Sequence, residues 1–456
     1  MTVGSIPRHL LRFSVPMLIG NLIQISYSII NTIWVGHLVG ENAVGAIGVS
    51  FPVFFTLLGL SMGVSLASTI LIAQYYGAKD YKMVERVVGN SFSLALIVGA
   101  ILTVSSLLLS DFLLRLMDTP HENFAMASSY LKITLAAFIL FYLGFLINSI
   151  LRGIGDAVTP LIFMSIGIGI NAVLDPFFIG GWGPFASHGL NGAAYATIVS
   201  QVIAVGISII YLNRKGHVVA FNLRKLIIDR HITFLLFKIG FPSIIQQSLI
   251  SISGMFVATF VNSFGAAAAN AFGAVMRVDM FAFMPAMSMS MAVATLTGQN
   301  LGAGRPDRVK HVFRSGVIMT SSITILISLI VVVFSKFILI MFGLGIDLKV
   351  MAIGIAYLRI AGSCYIFFAI MFISNGVING AGHTIITMIF TLLSLWLVRV
   401  PLAWFLSKTS LGTTGIWIAV ASSFFVTMII SLVYYFSGRW KKSAVIKTPA
   451  PVPFVE

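Results

Sequence analysis

The chain has 456 residues, of which 58% are hydrophobic and only 9% charged, and its mean hydropathy is +1.03. Soluble domains carry about 25% charged residues; a chain with so few cannot cover an aqueous surface, which excludes a soluble globule and predicts an all-α integral membrane protein. The net charge of +15 would suit a nucleic-acid binder, but the basic residues are spread through short loops, so no nucleic-acid partner is expected and the charge reads as membrane topology.

The N-terminus, MTVGSIPRHLLRFSVPMLIG, is basic and then apolar, and its apolar run continues past Asn31. That is too long for a cleaved signal peptide and predicts a first spanning helix. A span needs about 20 mostly apolar residues, and about twelve such runs follow in order: 10–38, 47–75, 87–112, 124–150, 157–180, 190–212, 232–263, 268–298, 312–342, 350–378, 384–407 and 413–436. Their length and lack of strict alternation predict helices, not barrel strands. The single cysteine, Cys364, lies within one of these runs and can form no internal disulfide.

With a cytoplasmic N-terminus, the inner loops hold Arg8, Arg12, Lys79, Lys82, Arg86, Arg152, Arg214, Lys215, Arg224, Lys225, Arg230, Arg305, Arg308, Lys310, Arg314, Arg439, Lys441, Lys442 and Lys447. Only Arg115, Lys336, Lys349 and Lys408 clearly fall outside, so both termini are expected to be cytoplasmic. The longest polar loop, NRKGHVVAFNLRKLIIDRH (213–231), reads as a linker between two six-helix halves: an N-lobe of residues 1–222 and a C-lobe of 223–442, followed by a tail of 443–456.

The halves resemble each other. VPMLIGNLIQIS (15–26) parallels FPSIIQQSLISIS (241–253), with Pro16 answering Pro242. AQYYGAKD (73–80) parallels GQNLGAGR (298–305), and NSILRGIGD (148–156) parallels NGVINGAGH (375–383). The separation is nearly constant. Two six-helix repeats of the same orientation form a secondary-transporter plan, with the substrate site expected between the halves. No P-loop, HExxH motif, cysteine pair or nucleotide fingerprint is present, so neither an enzyme nor a cofactor is expected.

At NTIWVGHLVGENAVGAIGVSFP (31–52), QYYGAKD, GQNLGAGRPDRV, LRGIGDAVTP (151–160) and NAVLDPFFIGG (171–181), the chain resembles the multidrug and toxic compound extrusion (MATE) family, over nearly its whole length. The resemblance implies a monomeric antiporter of a prokaryotic plasma membrane, exporting amphipathic, often cationic compounds against inward proton or sodium flow. It is to the branch whose coupling centre lies in the N-lobe, because span seven carries Gln246 and Gln247 and no carboxylate, and span ten has none either. A lipid or lipid-linked oligosaccharide flippase of the same superfamily is the alternative, and Arg277, Arg359 and Arg399 would suit the basic cavity it needs. The major facilitator plan is disfavoured, because GAKDYKMVERV lacks the acidic and arginine-rich loop expected after its second span.

Ionisable groups inside spans are functional candidates by default. Asp175 follows Asn171 by four residues, so the two share a helix face. Pro176 frees a carbonyl one turn earlier. Asn31 reaches a similar depth in span one, and Tyr195 or Thr197 of span six could add a hydroxyl. A carboxylate, amides and a free carbonyl could hold a proton or a small hard cation; the plainer alternative is a hydrogen-bonded residue near a helix end. In the resembling branch the position before TIWVG is usually aspartate; here it is Asn31, which gives one negative charge fewer and favours a proton over sodium.

Arg277 is two residues from Asp279, so the two point to different sides of span eight and cannot form a simple same-face bridge. Asp279 could form an interhelical salt bridge, with Arg359 and Arg399 at similar depth, or serve a cationic substrate. Met276, Met280, Phe283 and Met287 could line an adaptable cavity or simply pack, and Gln24, Gln246, Gln247 and Asn270 are further candidates to line it. His37 and His188 have no partner spacing, so no metal site is expected.

Overall fold

Every element in the computed structural model follows from an apolar run long enough to close its own backbone hydrogen bonds in lipid. The structure describes residues 1–183, 186–214, 219–220, 225–343, 347–442 and 445, and among them it is all-α. Lys215, Arg224 and Lys447, like the expected tail apart from Val445, lie outside the described residues.

The helices are α1 (Ile6–Leu38), α2 (Glu41–Gly77), α3 (Tyr81–Leu116), α4 (His121–Ala136), α5 (Phe138–Gly153), α6 (Val158–Gly180) and α7 (Leu190–Arg214). Then come α8 (Arg230–Asn262), α9 (Ala266–Gly302), α10 (Pro306–Val333), α11 (Ser335–Met341), α12 (Leu348–Ser363) and α13 (Tyr365–Gly380). The last are α14 (Thr384–Thr391), α15 (Val400–Ser407) and α16 (Thr413–Phe436). A π-helical segment, Leu392–Arg399, joins α14 to α15. Among the described residues, 10 helices are long and apolar enough to cross a membrane, and the number rises to 12 if each of two bent pairs is one span. Those pairs are α4–α5, bent by 49°, and α12–α13, bent by 45°.

The chain divides into two compact units, one of residues 15–241 and one of residues 1–14 with 242–456. In the first, α2 packs on α3, α4 and α5, and α6 packs on α7. Gly153 lets α5 approach α2, because a Cβ there would stand 2.9 Å from Ile72 and 3.0 Å from the Thr69 carbonyl. In the second, α9 packs on α10, α12 and α13, and Gly380 makes the matching approach: its Cβ would stand 2.3 Å from the Ala294 carbonyl. On α3, the exposed side chains Ile101, Val104, Leu108 and Phe112 form a stripe, while Ser106, Ser110 and Leu114 turn inward. In water that stripe would be the buried face; here it is the lipid face.

The start of each half is pinned within its unit. Asp229 takes Arg86 at 3.4 Å and Lys225 takes Glu85 at 3.0 Å, fixing the stretch before α8 to α3. Arg305 donates to the Thr2 carbonyl at 2.9 Å and Arg308 to that of Gly4 at 3.0 Å, fixing the N-terminal residues to the turn after α9.

Candidate functional site

α6 delivers two polar side chains to one spot. Asn171 and Asp175 stand one turn apart on its buried face, and Pro176 follows them, still inside the helix. Proline has no N–H, so the carbonyl of Ala172 loses its usual partner. The helix ends at Gly181, in the left-handed conformation at φ 74°, about a turn and a half beyond Asp175.

The Asp175 side chain is fully buried. Asn171 Nδ2 donates to its Oδ1 at 3.2 Å, and Asn31 Nδ2, from α1, donates to its Oδ2 at 3.0 Å. Among the described residues it makes no ion pair within 4.0 Å. The network continues from Asn31: its Nδ2 also approaches the Tyr27 hydroxyl at 3.3 Å, which lies 3.5 Å from the Thr197 hydroxyl, which in turn donates to the Ala193 carbonyl at 2.7 Å. Of the two hydroxyls expected from span six, Thr197 therefore joins the site. Tyr195 does not; its ring packs edge-on against His188, with centroids 5.5 Å apart. Tyr27 is the residue that sequence reasoning missed, although its place one turn before Asn31, on the same face, was a signal for it.

Asp175 offers two carboxylate oxygens, and among the described residues Asn171 Oδ1 is buried with no hydrogen-bond partner. A proton can sit on the carboxylate. A divalent ion wanting six or more oxygens cannot be satisfied by one acid and two amides, and no group of three His, Cys, Asp or Glu gathers among the described residues.

The other unit holds a second buried acid. Asp279 of α9 is 3% exposed and accepts hydrogen bonds from the hydroxyls of Tyr357 on α12 and Tyr365 on α13. Among the described residues no arginine forms an ion pair with it. Arg277 and Arg359 are exposed. Arg399 gives its Nε–H to Ser423 at 2.8 Å and lays its guanidinium over Phe424 at 5.1 Å. Two phenols thus take the place of the salt bridge that was one of its two readings; hydroxyl donors satisfy a carboxylate without the desolvation of a second charge.

The remaining candidates separate. Met276, Met280 and Met287 lie exposed along one line of α9, at spacings of four and seven residues, with Arg277 beside it. Phe283 points elsewhere, into an aromatic cluster with Phe368 at 3.7 Å, Tyr365 at 5.2 Å and Phe424 at 5.8 Å. Gln246 is tied to α14 through Thr391 at 2.8 Å and the Thr387 carbonyl at 3.3 Å. Gln24 and Asn270 are exposed, and Gln247 is half-buried.

The family model described as MatE matches the chain twice, over residues 16–177 and 242–405. The chain is 31% identical to probable multidrug resistance protein YoeA of Bacillus subtilis, over 97% of this chain and 96% of that one. It is 33% identical to probable multidrug resistance protein YpnP of the same organism, over 96% of this chain and 97% of that one. A solved multidrug resistance MATE family transporter of the MOP superfamily, in an outward-facing conformation, superposes with a TM-score of 0.87 at 27% identity, covering 98% of each chain.

Proposed function

Because the chain belongs to the MatE family of multi-pass membrane transporters, we propose that it exports amphipathic, often cationic compounds as a proton-coupled antiporter, with Asp175 as the coupling group. The observation that carries the reading is the state of that carboxylate: fully buried, held by two neutral amides, and without an ion pair among the described residues. An unpaired buried charge costs several kcal/mol, which a bound proton removes.

Asn31 and Asn171 serve both protonation states. Each amide donates to the carboxylate now, and each can turn its oxygen toward a protonated acid after a flip about its last torsion. Binding a proton from outside then stabilises one facing state over the other, and the external gradient gives the cycle its direction. A single negative charge favours a proton over sodium, since a hard cation gains more from a second anionic ligand. The exposed methionine line of α9, with its pliable thioethers, is an adaptable contact for substrates of varied shape. Both termini are cytoplasmic in this reading, and the transporter works in a prokaryotic plasma membrane as a monomer.

The test is drug efflux in everted membrane vesicles, with and without an imposed proton gradient and with and without sodium. Wild type should respond to the proton gradient, and Asp175→Asn should lose coupled export while remaining in the membrane at normal levels. Unimpaired export by that variant, or a requirement for sodium in wild type, would overturn the reading.

A further inference from the structure

A cleft of about 550 Å³ opens in the second unit, lined by α10, the end of α16 and the turn that follows it. Its mouth carries Lys310, Arg314 and Lys441, all exposed. Lys310 and Arg314 stand one turn apart on α10, and Val317 and Ile318 continue the same face toward the middle of the helix. On α16 the order runs the same way: no charged residue occurs from Thr413 to Phe436, and Arg439, Lys441 and Lys442 follow at once. Both walls therefore change from apolar to basic at one level, as they must where a spanning helix leaves hydrocarbon for the headgroup layer.

The floor is rigid. Gly438, in the left-handed conformation at φ 70°, turns the chain back, and the indole N–H of Trp440 donates to the Tyr435 carbonyl at 2.8 Å. Tyr435 is stacked between the Trp440 ring at 5.4 Å and the Phe313 ring at 3.8 Å. The exposed Phe436 and Ile318 flank the cleft on its lipid side. Among the described residues the one acid paired into it is Asp307, 3.1 Å from Lys310, and Arg314 and Lys441 have no ion-pair partner.

We propose that this cleft binds the headgroup of an anionic phospholipid, with phosphate between Arg314 and Lys441 and the acyl chains descending along Val317, Ile318 and Phe436. Arginine and lysine are the side chains that hold phosphate, and basic pockets between spanning helices are suited to acidic headgroups. A soluble anion would use the basic mouth alone; the apolar wall directly beneath it argues for a ligand with a hydrocarbon end. The positive-inside bias places such a site in the leaflet facing the basic loops.

Purified full-length protein, exchanged into detergent and titrated with phosphatidylglycerol or phosphatidylcholine, tests this by native mass spectrometry. Wild type should retain phosphatidylglycerol preferentially. Arg314→Gln/Lys441→Gln should weaken that retention roughly fivefold for each basic side chain removed, leaving phosphatidylcholine retention unchanged. Val317→Trp, which fills the apolar wall and keeps every charge, should lose the preference as well. The proposal is overturned if the double variant keeps wild-type selectivity. It is also overturned if Val317→Trp binds normally, which would reduce the effect to surface charge, or if glycerophosphoglycerol without acyl chains competes as well as the lipid, which would make this a phosphate site.

Discussion

Restoring the second acid at position 31 is the sharpest perturbation of the coupling site. Asn31 Nδ2 lies 3.0 Å from Asp175 Oδ2, so Asn31→Asp exchanges a donor for a carboxylate oxygen at nearly that distance. Two unit charges so placed repel by about 5 kcal/mol at an effective dielectric constant of about 20, and the lost hydrogen bond to a charged group adds about 1.5–3 kcal/mol. Neighbouring carboxylates relieve such repulsion by sharing a proton or taking a cation between them. Even if relaxation removes half of the repulsion, what remains exceeds the 1.36 kcal/mol that corresponds to one pH unit. The variant pair therefore keeps its shared proton to more alkaline pH than wild type does. In everted vesicles without sodium, the pH optimum of drug export by Asn31→Asp should move upward by at least about one unit. A profile superimposable on wild type would refute both the contact and the role assigned to it.

Sodium supplies the companion result: without effect on wild type, it should stimulate export by Asn31→Asp, as vesicle assays at matched ionic strength would show. Tyr27→Phe removes one partner of Asn31 but leaves Asp175 both of its amide donors; export should fall severalfold at most, while Tyr195→Phe, outside the network, should transport as wild type. Gly380→Ala should be worse than Gly153→Ala, since its Cβ meets a backbone carbonyl at 2.3 Å and the other meets its nearest atoms at 2.9 Å; membrane expression and melting temperature in detergent would rank them.

What could be read from sequence follows from the helical period. Asn171 and Asp175 had to share a face, and glycines repeated at a constant separation had to mark equivalent helix approaches. Choosing Thr197 over Tyr195 needed the rotation of α7 about its axis, and two residues turn a helix by about 200°. Gly362 and Ser363, directly before the bend at Cys364, are a pair of the kind that bends helices and were a signal there; the bend at Ala137 has neither proline nor glycine beside it, so nothing local announced it. The π-helical segment Leu392–Arg399, by contrast, runs into Pro401, whose missing N–H was a local signal against an unbroken α-helix. Arg399, the last residue of that segment, hydrogen-bonds Ser423, although depth alone would set it against Asp279.

The two halves, compared position by position, favour a structural reading of the Asp279 cluster. At the repeat separation that relates Gln74 to Gln299, Asp279 corresponds to Phe54; at that relating Gly153 to Gly380, Tyr365 corresponds to Phe138. Phe54 and Phe138 pack edge to face at 6.1 Å, so one copy of the fold fills with two phenyl rings the place where the other sets an acid and a phenol. The fold does not demand the polar group, yet once present it binds its partners to it. Asp279→Ala leaves the Tyr357 and Tyr365 hydroxyls without their acceptor at a cost of about 1–3 kcal/mol each, and the melting temperature in detergent should fall. Adding Tyr357→Phe and Tyr365→Phe removes the stranded hydroxyls, and exchanging all partners of a buried polar contact for apolar ones can be nearly neutral. The triple variant should therefore recover much of the lost stability, short of the cavity left by the acid, and export the same range of compounds as wild type. A triple variant that regains its stability but no longer exports cations would refute the structural role and make Asp279 part of the transport pathway.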